Sequence, residues 1–145
     1  MVHALQETDH TTPRPYRGYW YYTRTFRGAA YPQYCRAARA FNETTITINW
    51  NGTSDTPILP AEQVLLDVNA LAEGHDYCAV EAVEDSPSQT LLAYTVDYAG
   101  DELYTLMVVD IASGNILLRD ESLHMDGTLE WGANDSTLYY VKMDD

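Results

Sequence analysis

The side chains that could support catalysis are few and scattered along this sequence. Four histidines are present, His3, His10, His75 and His124, and none lies in the H-x-x-x-H or H-E-x-x-H spacing that builds a zinc site. Neither a G-x-S-x-G nucleophile elbow nor a glycine-rich phosphate loop occurs. The sequence therefore predicts no catalytic residue, no cofactor-binding residue, no metal ligand and no cofactor.

Two local groups of side chains invite a functional interpretation, and each has a simpler structural one. His75 is followed directly by Asp76, but an isolated neighbour pair of this kind is more typical of a turn that bonds to itself. Asp97, Asp101 and Glu102 surround a predicted turn and could hold a cation, although they lack the spacing of an EF-hand. We interpret both groups as turns.

The cysteines and aromatic residues favour a packed β-rich core. Cys35 and Cys78 are too few for a disulfide framework, so we expect two small core residues in a reducing, cytoplasmic compartment. No apolar leader follows Met1, and no apolar run is long enough to span a membrane. The aromatic run at residues 19–22 is expected to pack in the core rather than to form a ligand platform.

The charge of the chain is large and unevenly placed. The net charge is −14; residues 1–39 hold six arginines and two acids, a net +4, whereas residues 40–145 hold two basic residues and twenty acids, a net −18. Such a surface repels nucleic acid and attracts basic peptides or cations. The alternative is an acidic, solvated surface that serves solubility alone.

The apolar pattern predicts consecutive antiparallel strands. Strands are expected at residues 19–25, 31–36, 63–67, 79–84, 90–97, 103–111, 116–119, 128–131 and 137–143. Both faces of the 90–111 pair are apolar, which predicts a sheet sandwiched between neighbours. Residues 62–71 fit a helix and a short strand equally well.

A weak internal repeat indicates the architecture. Residues 86–94 and 132–140 each place small and polar turn residues before an aromatic-ended strand, at an offset of 46. A period in the forties with several short strands is typical of a β-propeller blade, and two ordinary hairpins of a sandwich are the alternative. The predicted fold is all-β, a partial β-propeller of consecutive four-stranded antiparallel blades.

The expected organisation follows from these patterns. Residues 1–15 are an irregular lead-in, 16–77 a first blade, 78–124 a complete second blade and 125–145 the truncated start of a third. A surface insertion rich in Asn, Thr, Gly and Pro occupies residues 39–61. It is expected to be mobile and to support no core, with a short hairpin at 45–50 and an anchoring contact from Trp50.

Four stretches resemble one group of enzymes. Residues 19–24, 31–36, 64–77 and 100–106 are similar to oligopeptidase B of the prolyl oligopeptidase family of serine peptidases. The resemblance implies about two to two and a half blades of a seven-bladed propeller that caps an α/β-hydrolase domain. It also implies a strand at 64–67 with only a short helical turn after it.

The resemblance carries functional expectations for a parent protein. The family cleaves short peptides after Arg or Lys, its propeller restricts substrate access, and its Ser-Asp-His triad lies in the hydrolase domain. None of those catalytic motifs occurs here, so the chain should be inactive alone. Expected partners are the remaining propeller, the hydrolase domain and short basic peptides, without nucleic acid or membrane. A non-enzymatic propeller-type binding or scaffold module is the alternative.

Overall fold

The computed structural model describes residues 7–144. The chain divides into two compact units, residues 1–71 and residues 72–145. The strands of the first unit are β1 (Asp9–His10), β2 (Arg14–Tyr16), β3 (Tyr19–Thr25), β4 (Gln33–Ala38) and β5 (Gln63–Asp67). Those of the second are β6 (Ala79–Asp85), β7 (Leu91–Asp97), β8 (Tyr104–Asp110), β9 (Ile116–Trp131) and β10 (Leu138–Lys142). A short helix, α1 (Val68–Ala72), lies at the boundary. Among residues 7–144, no helix is long and apolar enough to cross a membrane.

Strand β3 lies at the centre of the first unit's antiparallel sheet. β4 pairs with one edge of β3, while β1 and β2 pair with the two ends of its other edge. The segment 1–15, predicted to be irregular, therefore contains strand pairing within its described part, and residues 1–6 lie outside the described residues. Thr11 joins the two short strands to β3, because it exchanges hydrogen bonds of 2.9 and 3.0 Å with the backbone of Thr23. Pairing with an established edge stabilises strands too short to be predicted from local pattern.

The 39–61 segment differs from its prediction. It contains no strand, so the hairpin expected at 45–50 is wrong. The expectation that the segment supports no core is also wrong, since Ile58 and Leu59 are buried with Trp20 in the core of the first unit. Polar composition concealed these two apolar residues, which lie between prolines near the end of the segment.

Trp50 anchors the middle of this segment, as predicted. Its ring packs against the same core and meets the ring of His10 edge-on, with centroids 5.3 Å apart. Its indole N–H donates to the carbonyl oxygen of Thr53 at 2.9 Å. Asn51 accepts from the backbone N–H of Thr53 at 3.0 Å, forming an Asx turn around Gly52.

The ambiguous region after the insertion is a strand followed by a short helical turn. Gln63–Asp67 pairs with β4 as β5, and the chain then turns through α1. Asp67 caps this turn by accepting the backbone N–H of Asn69 at 3.0 Å. The helical spacing of the apolar residues was misleading, and the strand implied by the family resemblance is confirmed.

The second unit is an antiparallel sheet in the order β10-β9-β8-β7-β6. In β7, every residue from Leu92 to Asp97 is buried, so neither face of this strand is open to solvent. This confirms the dry two-faced pair predicted from the sequence. The predicted four-stranded meander at 79–119 is present as β6, β7, β8 and the first part of β9.

Strand β9 was predicted as two separate strands, at 116–119 and 128–131, but is continuous from Ile116 to Trp131. Its first part pairs with β8 and its second with β10, with register shifts between them. His124 and Gly127, with φ of 50° and 96°, supply the bends. Bulges let one strand change direction without losing its hydrogen bonds, and sequence pattern does not reveal this.

The β9–β10 hairpin lies over one face of the sheet formed by β6, β7 and β8. The hydroxyl of Thr95, on β7, donates to the carbonyl oxygen of Gly127 at 2.7 Å, and both atoms are buried. The indole N–H of Trp131 donates to the carbonyl oxygen of Glu84 at 2.9 Å. Met125 is fully buried between the hairpin and the sheet.

The two copies of the predicted repeat form the same kind of turn. The N–H of Ser86 donates to the carbonyl oxygen of Leu91 at 2.8 Å, and the N–H of Gly132 donates to that of Thr137 at 2.8 Å. Each turn is closed by a bond between residues five apart, at the offset of 46 read from the sequence. The blade boundaries at residues 77 and 124 stay a prediction.

Candidate functional site

His75 lies in a packed surface turn. Its imidazole stacks on the ring of Tyr98 with centroids 3.8 Å apart and planes 18° from parallel. Its backbone N–H donates to the carbonyl oxygen of Ala72 at 3.0 Å, closing the end of α1. The interpretation of the pair with Asp76 as a turn agrees with this geometry, and the absence of a catalytic role stays a prediction.

The acidic group at Asp97 is organised by its own turn. The Asp97 carboxylate accepts backbone N–H groups from Ala99 at 2.8 Å, Gly100 at 2.9 Å and Glu102 at 3.0 Å. Burial alone would raise the pKa of Asp97, but these hydrogen bonds bring it below its ordinary value. Within residues 7–144, no cluster of His, Cys, Asp and Glu could hold a metal ion.

The two cysteines are buried, free and protonated. Burial raises the pKa of Cys35 to about 12, and the nearby Glu62 carboxylate adds to the effect. Burial and the neighbouring Asp97 also raise the pKa of Cys78. Thiols with raised pKa values are poor nucleophiles, so both behave as small core residues.

The aromatic run of β3 supplies core residues and a buried polar network. Trp20 and Tyr22 point into the core of the first unit. Arg24, on the same face, forms an ion pair of 2.8 Å with Glu62, and both side chains are more than nine-tenths buried. Glu62 also accepts the Tyr22 hydroxyl at 2.6 Å and the backbone N–H of Ile58 at 3.0 Å. The network fixes the end of the 39–61 segment to the sheet.

A second polar cluster joins the two repeated turns of the second unit. The Asp135 carboxylate accepts the Ser86 hydroxyl at 3.0 Å and the Ser88 backbone N–H at 3.0 Å. It also accepts the Ser88 hydroxyl and, at 3.5 Å, the Thr90 hydroxyl. One carboxylate therefore gathers the donors of the β6–β7 turn.

The last hairpin exposes an apolar surface, which is the candidate functional site of this chain. Tyr139, Tyr140 and Val141 of β10 are exposed to 63%, 41% and 53%. With Thr128 and Leu129 of β9 they line a shallow, open cavity. Contiguous apolar exposure of this kind marks surfaces that contact another protein segment.

Comparison with known proteins assigns the family. The whole chain, residues 1–145, matches the family described as prolyl oligopeptidase, N-terminal beta-propeller domain. The chain belongs to this family. A curated relative from Pseudoxanthomonas mexicana, dipeptidyl aminopeptidase BI, is 35% identical over 145 residues, which cover 99% of this chain and 20% of the relative. The chain spans about a fifth of the length of the curated relatives it matches.

Solved structures of the prolyl oligopeptidase family agree with this assignment. Oligopeptidase B from Leishmania major matches with a TM-score of 0.77 and 32% identity, covering 97% of this chain and 18% of that chain. Oligopeptidase B from Trypanosoma brucei, in a closed form with covalently bound antipain, matches with a TM-score of 0.72 and 30% identity, over 97% and 17%. The predicted resemblance and the predicted partial β-propeller are confirmed.

Two features of this propeller segment escaped the sequence analysis. The Asp135 cluster was missed although the repeat aligns Asp135 with Gln89, because nothing in one sequence shows which turn residue reaches another turn. Glu62 was missed because its partners lie 38 and 40 residues earlier. The apolar strand Leu138–Lys142, by contrast, was predicted, as residues 137–143.

Proposed function

We propose that this chain is the N-terminal propeller segment of a serine oligopeptidase that cleaves short peptides after Arg or Lys. The observation that carries the proposal is the match of nearly the whole chain to oligopeptidase B structures, at 32% and 30% identity. Another relative is named a dipeptidyl aminopeptidase, which indicates a different substrate specificity. The proposed preference for Arg and Lys therefore rests on the oligopeptidase B structures.

Charge supports a basic substrate. Residues 72–145 hold sixteen acids and two basic residues, a net charge of −14. A strongly negative surface raises the local concentration of cationic peptides and speeds their association. The same charge serves solubility, so it supports the proposal only together with the match to oligopeptidase B.

The segment would support the rest of the propeller and help to restrict substrate entry. Tyr139, Tyr140 and Val141 offer an apolar surface for the next part of the propeller, and blades gain stability by packing on their neighbours. The completed propeller would limit entry to a hydrolase domain that supplies the nucleophile, base and oxyanion hole.

Hydrolysis by the parent protein tests the proposal. The polypeptide that contains this chain and a hydrolase domain should hydrolyse a fluorogenic Arg substrate at least ~100-fold faster than the matched Glu substrate, as expected for a site that recognises a buried charge. It should cleave short Arg peptides and leave a long Arg-containing polypeptide intact. Equal hydrolysis rates for the Arg and Glu substrates would contradict the proposed specificity.

The 145-residue chain alone provides the second arm. We expect no turnover from it, because acyl transfer requires a complete nucleophile, base and oxyanion hole. Repurified chain that retains turnover would contradict the assignment of catalysis to another domain. A parent reading frame with further blades and no hydrolase domain would favour the binding-module alternative.

A further inference from the structure

The contacts of the β9–β10 hairpin divide it into two halves. The inner half is held by burial, since Met125 is fully buried and Gly127 bonds to the buried Thr95 hydroxyl. In the outer half, Trp131 and Leu138 are only partly buried against the core, and Tyr139 and Tyr140 are exposed. Its polar links to the sheet include the Trp131 indole bond to the carbonyl oxygen of Glu84 and the hydrogen bonds of Asp135.

Among the described residues, the donors that bond to the Asp135 carboxylate are neutral groups. Its partners are three hydroxyl groups and one backbone N–H, all from residues 86–90. This donor set is complementary to an ionised carboxylate, which only accepts hydrogen bonds. A protonated carboxyl group would accept them less strongly and would bring a donor of its own into a cluster of donors.

The other charged groups near the strand ends that meet at this cluster are acids. They are Glu84 and Asp85 at the end of β6, Asp110 at the end of β8 and Glu130 near the end of β9. Asp110 is occupied with Ser113, whose N–H and hydroxyl it accepts at 2.9 and 2.6 Å. The two basic residues of the unit lie elsewhere: Arg119 bonds to Glu121, and Lys142 is in register with Met125.

We propose that Asp135 is a charge-dependent latch that holds the outer half of the β9–β10 hairpin, residues 130–141, against the β6–β7 turn. When its carboxylate is ionised, the hairpin is closed on the sheet. When the charge is removed, the outer half opens while the inner half and the sheet stay folded. The hinge is the bend at Gly127, whose φ of 96° already redirects β9.

The hydrogen bonds of Asp135 determine whether the latch opens as the pH rises or as it falls. Burial would raise the pKa of Asp135, but the bonds from Ser88, Ser86 and Thr90 lower it below the ordinary aspartate value. The latch is therefore fully closed above the unfolded-state pKa of about 4 and is lost as pH falls through the lower folded-state pKa.

Amide hydrogen exchange tests the latch on the 145-residue chain, in low salt and with a monomer verified by sedimentation. At pH 7, Asp135→Asn should lower protection of residues 130–141 by about tenfold, the loss expected for hydrogen bonds to a charged acceptor. Protection of β7 should be unchanged. Asp126→Asn is the matched control, because Asp126 is in the same hairpin and accepts the backbone N–H and the hydroxyl of its neighbour Thr128 rather than groups of the β6–β7 turn.

Two further measurements keep the test decisive. If Asp135→Asn fails to fold, Ser88→Ala removes one hydroxyl donor and should give a smaller loss confined to residues 130–141. Wild-type protection factors, corrected for intrinsic exchange, should fall towards the Asp135→Asn values as pH drops below about 4. The proposal is overturned by unchanged protection in Asp135→Asn, by an equal loss in β7, or by an equal loss in Asp126→Asn.

Discussion

The hydroxyl of Tyr22 donates a 2.6 Å hydrogen bond to Oε1 of Glu62, a residue 40 positions later in the chain. Through its other carboxylate oxygen, Glu62 also holds the buried guanidinium of Arg24. The two bonds fix the end of the 39–61 segment to β3. In the described residues, Nε of Arg24 is buried without a hydrogen-bond partner. The buried guanidinium therefore depends on its ion pair with Glu62 for compensation of its charge.

Removing Glu62 should destabilise the first unit strongly. Glu62→Ala leaves the Arg24 charge buried and unpaired, for which we expect a loss of about 3–5 kcal/mol in the free energy of unfolding. Tyr22→Phe removes one hydrogen bond to a charged acceptor and should lose about 1–3 kcal/mol. Urea denaturation measures both.

The control for this network is Asp55→Ala, which removes an exposed acid from the same segment and should change stability by less than about 0.5 kcal/mol. If Glu62→Ala were no more destabilising than Asp55→Ala, the network would contribute nothing to the stability of the first unit.

The 39–61 segment should be cleaved at its beginning and protected at its end. Phe41 is 93% exposed, whereas Ile58 and Leu59 are buried in the core. Limited chymotrypsin digestion should therefore cut after Phe41 before any site in β3 or β7, because proteases need an open, extended backbone. Mass spectrometry identifies the site. Cleavage in β3 or β7 before the bond after Phe41 is cut would contradict this order of accessibility.

Gly127 should tolerate no side chain. Its φ is 96°, and a Cβ there would lie 2.8 Å from Cβ of Glu81 and 2.9 Å from the ring of Tyr104. Gly127→Ala should lower stability by about 2–4 kcal/mol, since strain at positive φ adds to the clash. Gly114→Ala is the control, because its φ is 75° but nothing lies within 4 Å, so strain alone acts. Equal thermal melts for the two variants would contradict the crossing of β9 over β6.

How far sequence reasoning reached depends on the range of each interaction. Strand β3 and the β7–β8 pair were predictable because apolar runs and turn residues are local signals. The bend at His124 in β9 was not, because bulges follow from packing on the face of a sheet. The same holds at the candidate site: the exposed apolar strand β10 was visible as a pattern, whereas the Asp135 cluster depends on a fold that brings residues 45–49 apart together.

Cys35 should be chemically silent in the folded chain. Its pKa of about 12 leaves almost no thiolate at pH 8, and the thiol is buried. A thiol-reactive dye should therefore label Cys35 only after urea unfolds the first unit. Cys35→Ser assigns the signal, since Cys78 is also buried with a raised pKa. Rapid labelling of Cys35 without denaturant would mean that the core of the first unit opens readily.

The isolated chain should associate through β10. This strand is at the edge of its sheet and exposes Tyr139, Tyr140 and Val141, so its unpaired backbone and apolar side chains can pair with another copy. The net charge of −14 opposes association, and added salt screens that repulsion. Sedimentation velocity should therefore show more oligomer at 0.5 M than at about 0.05 M salt, for which the Debye lengths differ about threefold.

A variant separates edge pairing from general precipitation. The double variant Tyr139→Lys, Val141→Lys places two lysines on the exposed strand, and natural proteins use lysines in this way to block edge pairing. The same change makes the net charge less negative. Lower net charge alone would increase association, so a monomeric double variant at high salt would identify β10 as the contact. Leu117→Lys, on another exposed apolar position in β9, should leave association unchanged. A wild-type chain that is monomeric at both salt concentrations and melts cooperatively would instead be a self-sufficient domain, as the binding-module alternative requires.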